Sequence, residues 1–279
     1  MQTDLSPDKI LPRAIDVYTN KTKIKMGKLM ILAFFAGVFV ALACEASTLA
    51  ASSLLGDRSK FPIGKLVQGL VFTPGLIFVI LAGGELFTGN TLMTIPLLDK
   101  KISLGVMLRS WILVYFGNFI GALFVAFLLS RSGQWFFADG LVGVRTILIA
   151  KGKIDFSFGQ ALVLGLLGNF LVCLGVWMSL GAKSYGSKVI SAFFPISVFV
   201  LSGFEHSIAN MYYLPAGILA KNFPDFASKT GLGLETLKSL NISNMVFKNL
   251  FPVTLGNIIG GTIFIGTLYF LAYRNDNKD

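Results

Sequence analysis

The feature that most constrains this chain is a polar, glycine-rich segment inside a long apolar stretch. Residues 83–90 read Gly-Gly-Glu-Leu-Phe-Thr-Gly-Asn, and residues 203–210 read Gly-Phe-Glu-His-Ser-Ile-Ala-Asn. The two segments share the frame Gly-x-Glu-x-x-x-x-Asn, with the second copy 120 positions after the first. Carboxylates and amides at membrane depth are costly unless they have partners or line a cavity. The repeat therefore predicts two broken membrane helices, an arrangement typical of transporters and channels.

Composition indicates an integral membrane protein. Of the 279 residues, 54% are hydrophobic and 14% are charged, whereas a soluble domain carries about 25% charged residues. The net charge is +10, and the basic residues flank the apolar spans. This pattern fits lipid headgroups and an anionic solute better than nucleic acid, although flanking lysines also serve to fix topology. Cys44 and Cys173 lie in separate apolar runs, so no disulfide, metal site or cofactor is predicted.

Six apolar spans are predicted, three within residues 29–130 and three within residues 158–273. Because each repeat holds an odd number of spans, the two repeats are inverted. The second span, about 66–98, is too long for one straight crossing, and a break explains the excess. The pattern Gly-Asn-x-Ile-Gly occurs in the third span and again in the sixth. We therefore expect an all-α membrane protein with six transmembrane helices in an inverted 3+3 repeat, helices 2 and 5 being broken.

The polar N-terminal segment, residues 1–27, has apolar positions at helical spacing and is predicted to form an amphipathic helix on the cytoplasmic face. Its lysines, with those in two short loops, place both termini in the cytoplasm. Residues 28–274 are then the transmembrane channel domain, 221–245 an external connection, and 275–279 a cytoplasmic tail. The expected location is the cell inner (cytoplasmic) membrane, crossed several times.

Three motifs resemble those of the formate/nitrite transporter family. Residues 80–89 (Ile-Leu-Ala-Gly-Gly-Glu-Leu-Phe-Thr-Gly) and 168–174 (Gly-Asn-Phe-Leu-Val-Cys-Leu) are similar to its two signatures, and residues 204–210 to its third hallmark. Gly168 and Gly175 depart from the second signature by their smaller bulk. The resemblance implies an aquaporin-like fold, a homopentamer with one pore per protomer, and passage of small monovalent anions of weak acids such as formate, nitrite or hydrosulfide.

The same resemblance assigns residues to the substrate pathway. The first break is expected to be a mobile pore-lining loop, two apolar constrictions flank the centre, and an asparagine and the central histidine complete the pathway. The residues concerned are Leu86, Phe87 and Thr88 in the loop, Phe72, Leu76 and Phe199 at the constrictions, then Asn169 and His206. Lys28 and Lys153 match the lysines that attract anions at the two vestibules.

The chemistry of these residues leaves alternatives open. His206 is the only histidine, and a neutral imidazole can hydrogen-bond an anion and exchange a proton with a weak acid, but it could also be a packing residue. Glu85 and Glu205 are either ion-coupling groups or, as we prefer, acceptors for backbone amides freed by the breaks. Asn90 and Asn210 are expected to hold the ends of the same loops.

No enzyme is predicted, because the chain has no zinc-hydrolase or serine-hydrolase motif. The alternative function is an aquaporin-type facilitator of small neutral solutes. The sequence leaves open which anion passes and whether its passage is coupled to protons.

Overall fold

The computed structural model describes residues 3–274, and every regular element in that range is helical, which confirms the all-α class. Short one-turn helices connect several of the main helices. In chain order the main helices are α1 (Ile10–Lys21), α2 (Met26–Ala51), α3 (Phe61–Gly83), α4 (residues 87–98), α5 (Leu104–Ser132), α6 (Leu141–Ile154), α7 (Phe158–Gly181), α8 (Tyr185–Leu201), α9 (Ser207–Ala220), α10 (Pro224–Lys229), α11 (Leu234–Ser239) and α12 (Ile242–Tyr273).

Five of these helices, α2, α3, α5, α7 and α12, are long and apolar enough to cross a membrane, and α8 is a shorter apolar helix. At 1.5 Å per residue, even the shortest of the five exceeds about 30 Å, the thickness of a bilayer core. Large aromatic side chains remain exposed on these helices, such as Phe116 at 58% and Phe194 at 62%. Lipid or a neighbouring protomer can cover such faces, as expected for a multi-pass membrane protein.

Two of the main helices in the second half begin at clear side-chain caps. Ser157 and Gln160 form a capping box at the start of α7, and the Ser184 hydroxyl accepts from the Ser187 amide at the start of α8. The α3, α8 and α12 helices start four or five residues before the predicted spans, because the turn that precedes each span is also helical.

Glycines allow close helix contacts at two equivalent places in the fold. A Cβ atom at Gly37 would lie 2.1 Å from the carbonyl oxygen of Asn118, so α2 and α5 touch backbone to backbone. A Cβ atom at Gly256 would lie 2.1 Å from the carbonyl oxygen of Leu162, which gives the same contact between α7 and α12. Small residues at such crossings are the usual basis of helix packing in membranes.

The N-terminal segment is helical, as predicted, but its apolar face packs on the protein. Ile10, Leu11, Ala14 and Tyr18 are buried against α4 and the end of α7. The Tyr18 hydroxyl donates to the carbonyl of Gly89 at 2.9 Å, which joins α1 to the first half of the pathway. The predicted cytoplasmic tail, residues 275–279, lies outside the described residues.

The connections predicted as outer loops also contain helices. Residues 133–157 include α6, and residues 221–245 include α10 and α11. The α6 helix packs against α9, where a Cβ atom at Gly217 would lie 2.2 Å from the Cβ of Ala150. This contact brings α6 beside the second break and positions Lys153.

Candidate functional site: the paired helix breaks

Both predicted breaks interrupt helical structure. The α3 helix ends at Gly83, and residues 84–86 run without helix to α4, while residues 204–206 separate α8 from α9. Gly83 has φ +86° and Gly203 has φ +71°, a region that only glycine enters without strain. After each turn, the glutamate N–H donates at 3.1 Å to a carbonyl of a neighbouring helix, α2 in the first half and α7 in the second.

Two asparagines hold the backbone of the breaks. Asn118 on α5 accepts from the N–H of Phe87 at 2.9 Å and donates to the carbonyl of the preceding glutamate at 2.8 Å. Asn257 on α12 accepts from the N–H of Ser207 at 2.8 Å and donates to the carbonyl of its glutamate at 3.0 Å. Both belong to the repeated Gly-Asn-x-Ile-Gly pattern, which sequence reasoning used as a sign of internal symmetry without recognising this role.

At the first break, Lys21, Glu85 and Asn90 form what we call the Lys21 cluster. The Lys21 ammonium lies 2.9 Å from Glu85 Oε2 and donates to Asn90 Oδ1 at 2.9 Å. The Asn90 amide donates to the same carboxylate at 2.8 Å. Glu85 is only 5% exposed, so these two partners satisfy a carboxylate that would otherwise be costly to bury.

At the second break, Lys153, Glu205, Asn210 and Asn249 form the Lys153 cluster. The Lys153 ammonium lies 2.7 Å from Glu205 Oε1. The amide groups of Asn210 and Asn249 donate to Glu205 Oε2 at 2.6 and 3.2 Å. Glu205 is 3% exposed. The two clusters repeat one arrangement, a glutamate and an asparagine from the break held by a lysine from another helix.

Lys21 and Asn249 were not among the residues predicted from the sequence to belong to the site. Lys28 was predicted for the vestibule at the N-terminal end of the pathway, but it is exposed in the first turn of α2. Lys21 on α1 reaches the Glu85 carboxylate instead. No signal in the sequence distinguished Lys21 from the neighbouring lysines. The vestibule role of Lys28 stays a prediction without support from these contacts.

Two cavities lie at opposite ends of the helices that carry the breaks. The N-terminal cavity, about 250 Å³, includes Lys21 and the beginning of α8 at Lys188 in its walls. The α6 cavity, about 610 Å³, includes Lys153 and the end of α8 at Val200. These two positions on α8 are twelve residues apart, about 18 Å of helix.

The breaks meet between the cavities, at Thr88 and His206. His206 Nε2 lies 2.8 Å from Thr88 Oγ1. His206 also begins α9, since its Nδ1 accepts from the backbone N–H of Ala209 at 3.1 Å. Because Nδ1 is an acceptor, the proton of the neutral ring is on Nε2, which therefore donates to Thr88. The contact thus places an imidazole N–H and a hydroxyl side by side where the two breaks meet.

Apolar side chains line each cavity next to this contact. Leu76 and Leu86 line the N-terminal cavity, whereas Phe72, Phe199 and His206 line the α6 cavity. The rings of Phe72 and Phe199 meet edge to face with centroids 6.0 Å apart. The structure thus brings together the predicted constriction residues and the histidine, with one apolar group on each side.

Phe87 and Asn169 line neither cavity. Phe87 is buried against Tyr115, with ring centroids 4.9 Å apart. The Asn169 amide donates to the carbonyls of Thr88 (3.2 Å) and Asn257 (2.7 Å), so it fixes the backbone beside the Thr88–His206 contact. Pore lining by Phe87 and Asn169 stays a prediction. Within residues 3–274, no group of three or more His, Cys, Asp or Glu side chains is placed to hold a metal ion.

Comparison with known proteins gives consistent matches over almost the whole chain. The family model described as formate/nitrite transporter matches residues 8–271. The formate channel FocA of Escherichia coli is 36% identical over 284 residues, covering 99% of this chain and 99% of that protein. FocA of Haemophilus influenzae is 39% identical over 259 residues, covering 91% of this chain and 90% of that protein.

Solved structures agree. A pentameric formate channel with formate bound has a TM-score of 0.80 and 37% identity, covering 89% of this chain and 98% of that chain. An ion channel of the FNT family has a TM-score of 0.77 and 28% identity, covering 95% of this chain and 98% of that chain. The named relatives are channels and transporters, and none of these names denotes an enzyme.

Proposed function

The chain belongs to the formate/nitrite transporter family, and from this premise we propose that it conducts formate, a small monovalent anion of a weak acid, across the cytoplasmic membrane. The solute is suggested by the relatives, several of which are named formate channels. The observation that carries the proposal is the Thr88–His206 contact, which offers hydrogen-bonding groups between two cation-lined cavities. Nitrite and hydrosulfide have the same charge and similar size, so they are the rival solutes.

The proposed pathway is built from six spans in an inverted repeat. In this arrangement α3 with α4 forms the second span and α8 with α9 the fifth. The equivalent hydrogen bonds of Asn118 and Asn257, and the two lysine clusters, support the inversion. We place both termini and the N-terminal cavity in the cytoplasm. The pentameric formate channel among the structural neighbours supports a homopentamer, with lipid covering the remaining apolar faces.

The two clusters hold the breaks open to a passing anion. In each cluster a lysine offsets a glutamate, so the cluster stiffens the pathway without adding a net charge of its own. The apolar constrictions beyond the clusters disfavour hydrated ions. An anion that sheds its water then needs a replacement hydrogen bond, and the His206 N–H and the Thr88 hydroxyl are placed to supply it.

The same geometry is compatible with proton coupling through His206, provided that one hydrogen bond of the ring is broken. The neutral ring can donate from Nε2 to an anion that replaces Thr88, and this step leaves the Ala209 bond intact. A second proton would have to bind Nδ1, which requires His206 to release the Ala209 N–H at the start of α9. We therefore propose that an anion near Nε2 favours uptake of a proton from solution at Nδ1 by Coulomb attraction, and that the Nε2 proton then passes to the anion. This transfer leaves the ring protonated on Nδ1, so the cap closes again after Nδ1 has released its proton and Nε2 has been reprotonated.

The experiment is formate flux in proteoliposomes, measured together with proton uptake. We expect formate to permeate while glycerol does not, and His206→Asn to lose the acid-stimulated, proton-coupled component because an amide cannot titrate. Glycerol permeation without anion flux would support the neutral-solute facilitator instead. If the Asn variant keeps the proton ratio and pH dependence of the wild type, His206 is a structural hydrogen-bonding residue, and the anion acquires its proton elsewhere.

A further inference from the structure

The α6 cavity carries more positive charge than the Lys153 cluster requires. Three cations, Lys65, Arg145 and Lys153, line it together with one carboxylate, Glu205. Lys153 is paired with Glu205 at 2.7 Å, and its ammonium also lies over the Tyr213 ring, 5.0 Å from the centroid. The other two cations are left without a carboxylate, so the cavity has a net of two positive charges.

Within residues 3–274, neither Lys65 nor Arg145 forms an ion pair. Lys65 donates only to Gln68 Oε1, over a long 3.4 Å, and Arg145 donates from Nε to the Ser52 carbonyl at 3.2 Å. Both side chains are half-buried. A guanidinium has five N–H donors and an ammonium three, so most donors of these two groups are free to bind a ligand.

The side chain of Arg145 is held in place although most of its N–H donors are free. The hydrogen bond from Nε fixes one edge of the guanidinium. Gly56 packs closely against the same group, since a Cβ added at Gly56 would lie 2.7 Å from Nη2. A planar guanidinium held in this way binds a carboxylate through two parallel N–H bonds. A partly buried cation with no counter-charge gains most from such a ligand, because the low-dielectric wall strengthens the attraction.

The size of the cavity also exceeds what formate needs. About 610 Å³ lies within the range of pockets that hold organic ligands, whereas formate has three heavy atoms. The edge-to-face rings of Phe72 and Phe199 line this cavity next to His206. A ligand with two negative charges would match the cavity in charge, but it would have to lose far more hydration than formate to pass the rings.

We propose that the α6 cavity is a binding site for small aliphatic dicarboxylates, which bind to Arg145 and Lys65 and block the pathway from that side. One carboxylate binds the Arg145 guanidinium and the other the Lys65 ammonium, while Lys153 stays paired with Glu205. Blocking rests on the proposed function, because it needs a conducted solute, but binding of the dicarboxylate does not.

Binding is tested by calorimetry on the purified full-length chain in detergent, with malonate as the probe and propionate as a monoanion of similar size. We expect malonate to bind at least tenfold more tightly than propionate, and both Arg145→Gln and Lys65→Gln to weaken malonate at least tenfold. The matched control is Lys151→Gln, since Lys151 lies on the same helix but pairs with Asp155 and does not line the cavity. Equal binding of malonate and propionate, or equal binding to the Arg145 and Lys151 variants, would overturn the proposal.

Blocking is tested by adding malonate to one side of proteoliposomes during formate flux. We expect inhibition from the α6-cavity side, weakened by Arg145→Gln and unchanged by Lys151→Gln. If the wild type carries no formate, the proposed function fails while the calorimetric result still decides the site. If formate flux is present and malonate binds without reducing it, the blocking role is wrong.

Discussion

Removing the charge of Lys153 should destabilise the protein, because its buried partner Glu205 is then left without a counter-charge. In Lys153→Met the side chain keeps its length, and Glu205, at 3% exposure, loses the ammonium 2.7 Å away. At an effective dielectric constant of about 20, two unit charges at that distance attract by about 6 kcal/mol before desolvation is subtracted. Leaving one member of a buried pair without its partner typically costs about 3–5 kcal/mol.

The lower end of that range applies here because two amides still bind the carboxylate, at 2.6 and 3.2 Å. We expect Lys153→Met to reduce the free energy of unfolding by about 3 kcal/mol, a factor of roughly 150 in the equilibrium constant. Adding Glu205→Gln removes the unpaired charge, so the double variant should regain most of the loss. The two single variants and the double variant form a double-mutant cycle.

The measurement is reversible unfolding in mixed micelles, followed by tryptophan fluorescence. Lys238→Met is the matched control, because its pair with Glu235 is 72% and 87% exposed, and exposed pairs contribute at most about 1 kcal/mol. A large cost of the unpaired Glu205 is refuted if Lys153→Met lowers the free energy of unfolding no more than Lys238→Met does. It is also refuted if Lys153→Met and the double variant are equally unstable, since the cost would then come from lost packing and not from an unpaired carboxylate.

Two glycine substitutions test the backbone of the site. Gly203→Ala places an L-residue at φ +71° and should cost about 1–2 kcal/mol in unfolding free energy, whereas Gly233→Ala, at φ −69° with open space around it, should cost nothing measurable in the same assay. Gly261→Ala would put a Cβ 2.0 Å from Thr91 Oγ1 and 2.5 Å from the Asn169 amide, so we expect it to displace the bonds that position Thr88 and to reduce formate flux per folded protomer. Wild-type flux in that variant would show that the helix shifts without disturbing the contact.

The paired breaks could be predicted from sequence because the bilayer leaves few alternatives for their residues. A glutamate and an asparagine at fixed spacing after glycine, found twice within apolar sequence, require an interrupted helix and local partners. The positive φ angles of Gly83 and Gly203 follow from the same pattern. The closeness of Thr88 and His206 fits an inverted repeat, in which the two breaks would meet at the centre of the fold.

The partners of the breaks could not be predicted, because they come from distant parts of the chain. Lys21 lies 64 residues before Glu85, among several other lysines in a polar segment, and only the packing of α1 selects it. Asn249 reaches Glu205 from the start of α12 for a comparable reason. The α6 helix was not predicted, because its residues were interpreted as part of an outer loop. Its apolar positions are explained only by the packing of α6 against α9.

The central contact departs from the symmetry of its surroundings, and this has a chemical consequence. Moving 120 positions along the chain from Leu86 leads to His206, and from Thr88 to Ile208, so each break contributes one polar and one apolar residue. Two histidines at these positions would place two titratable groups side by side, and protonation of one would oppose protonation of the other. With one imidazole and one hydroxyl, the pathway that we propose has a single side chain suited to proton exchange near neutral pH. In the proposed pathway His206 lines the α6 cavity together with Phe72 and Phe199, so an anion from that cavity meets the imidazole and the two rings at the same place, whereas an anion from the N-terminal cavity must first pass Leu86. We therefore expect the two directions of transport to differ in the order of desolvation and hydrogen bonding.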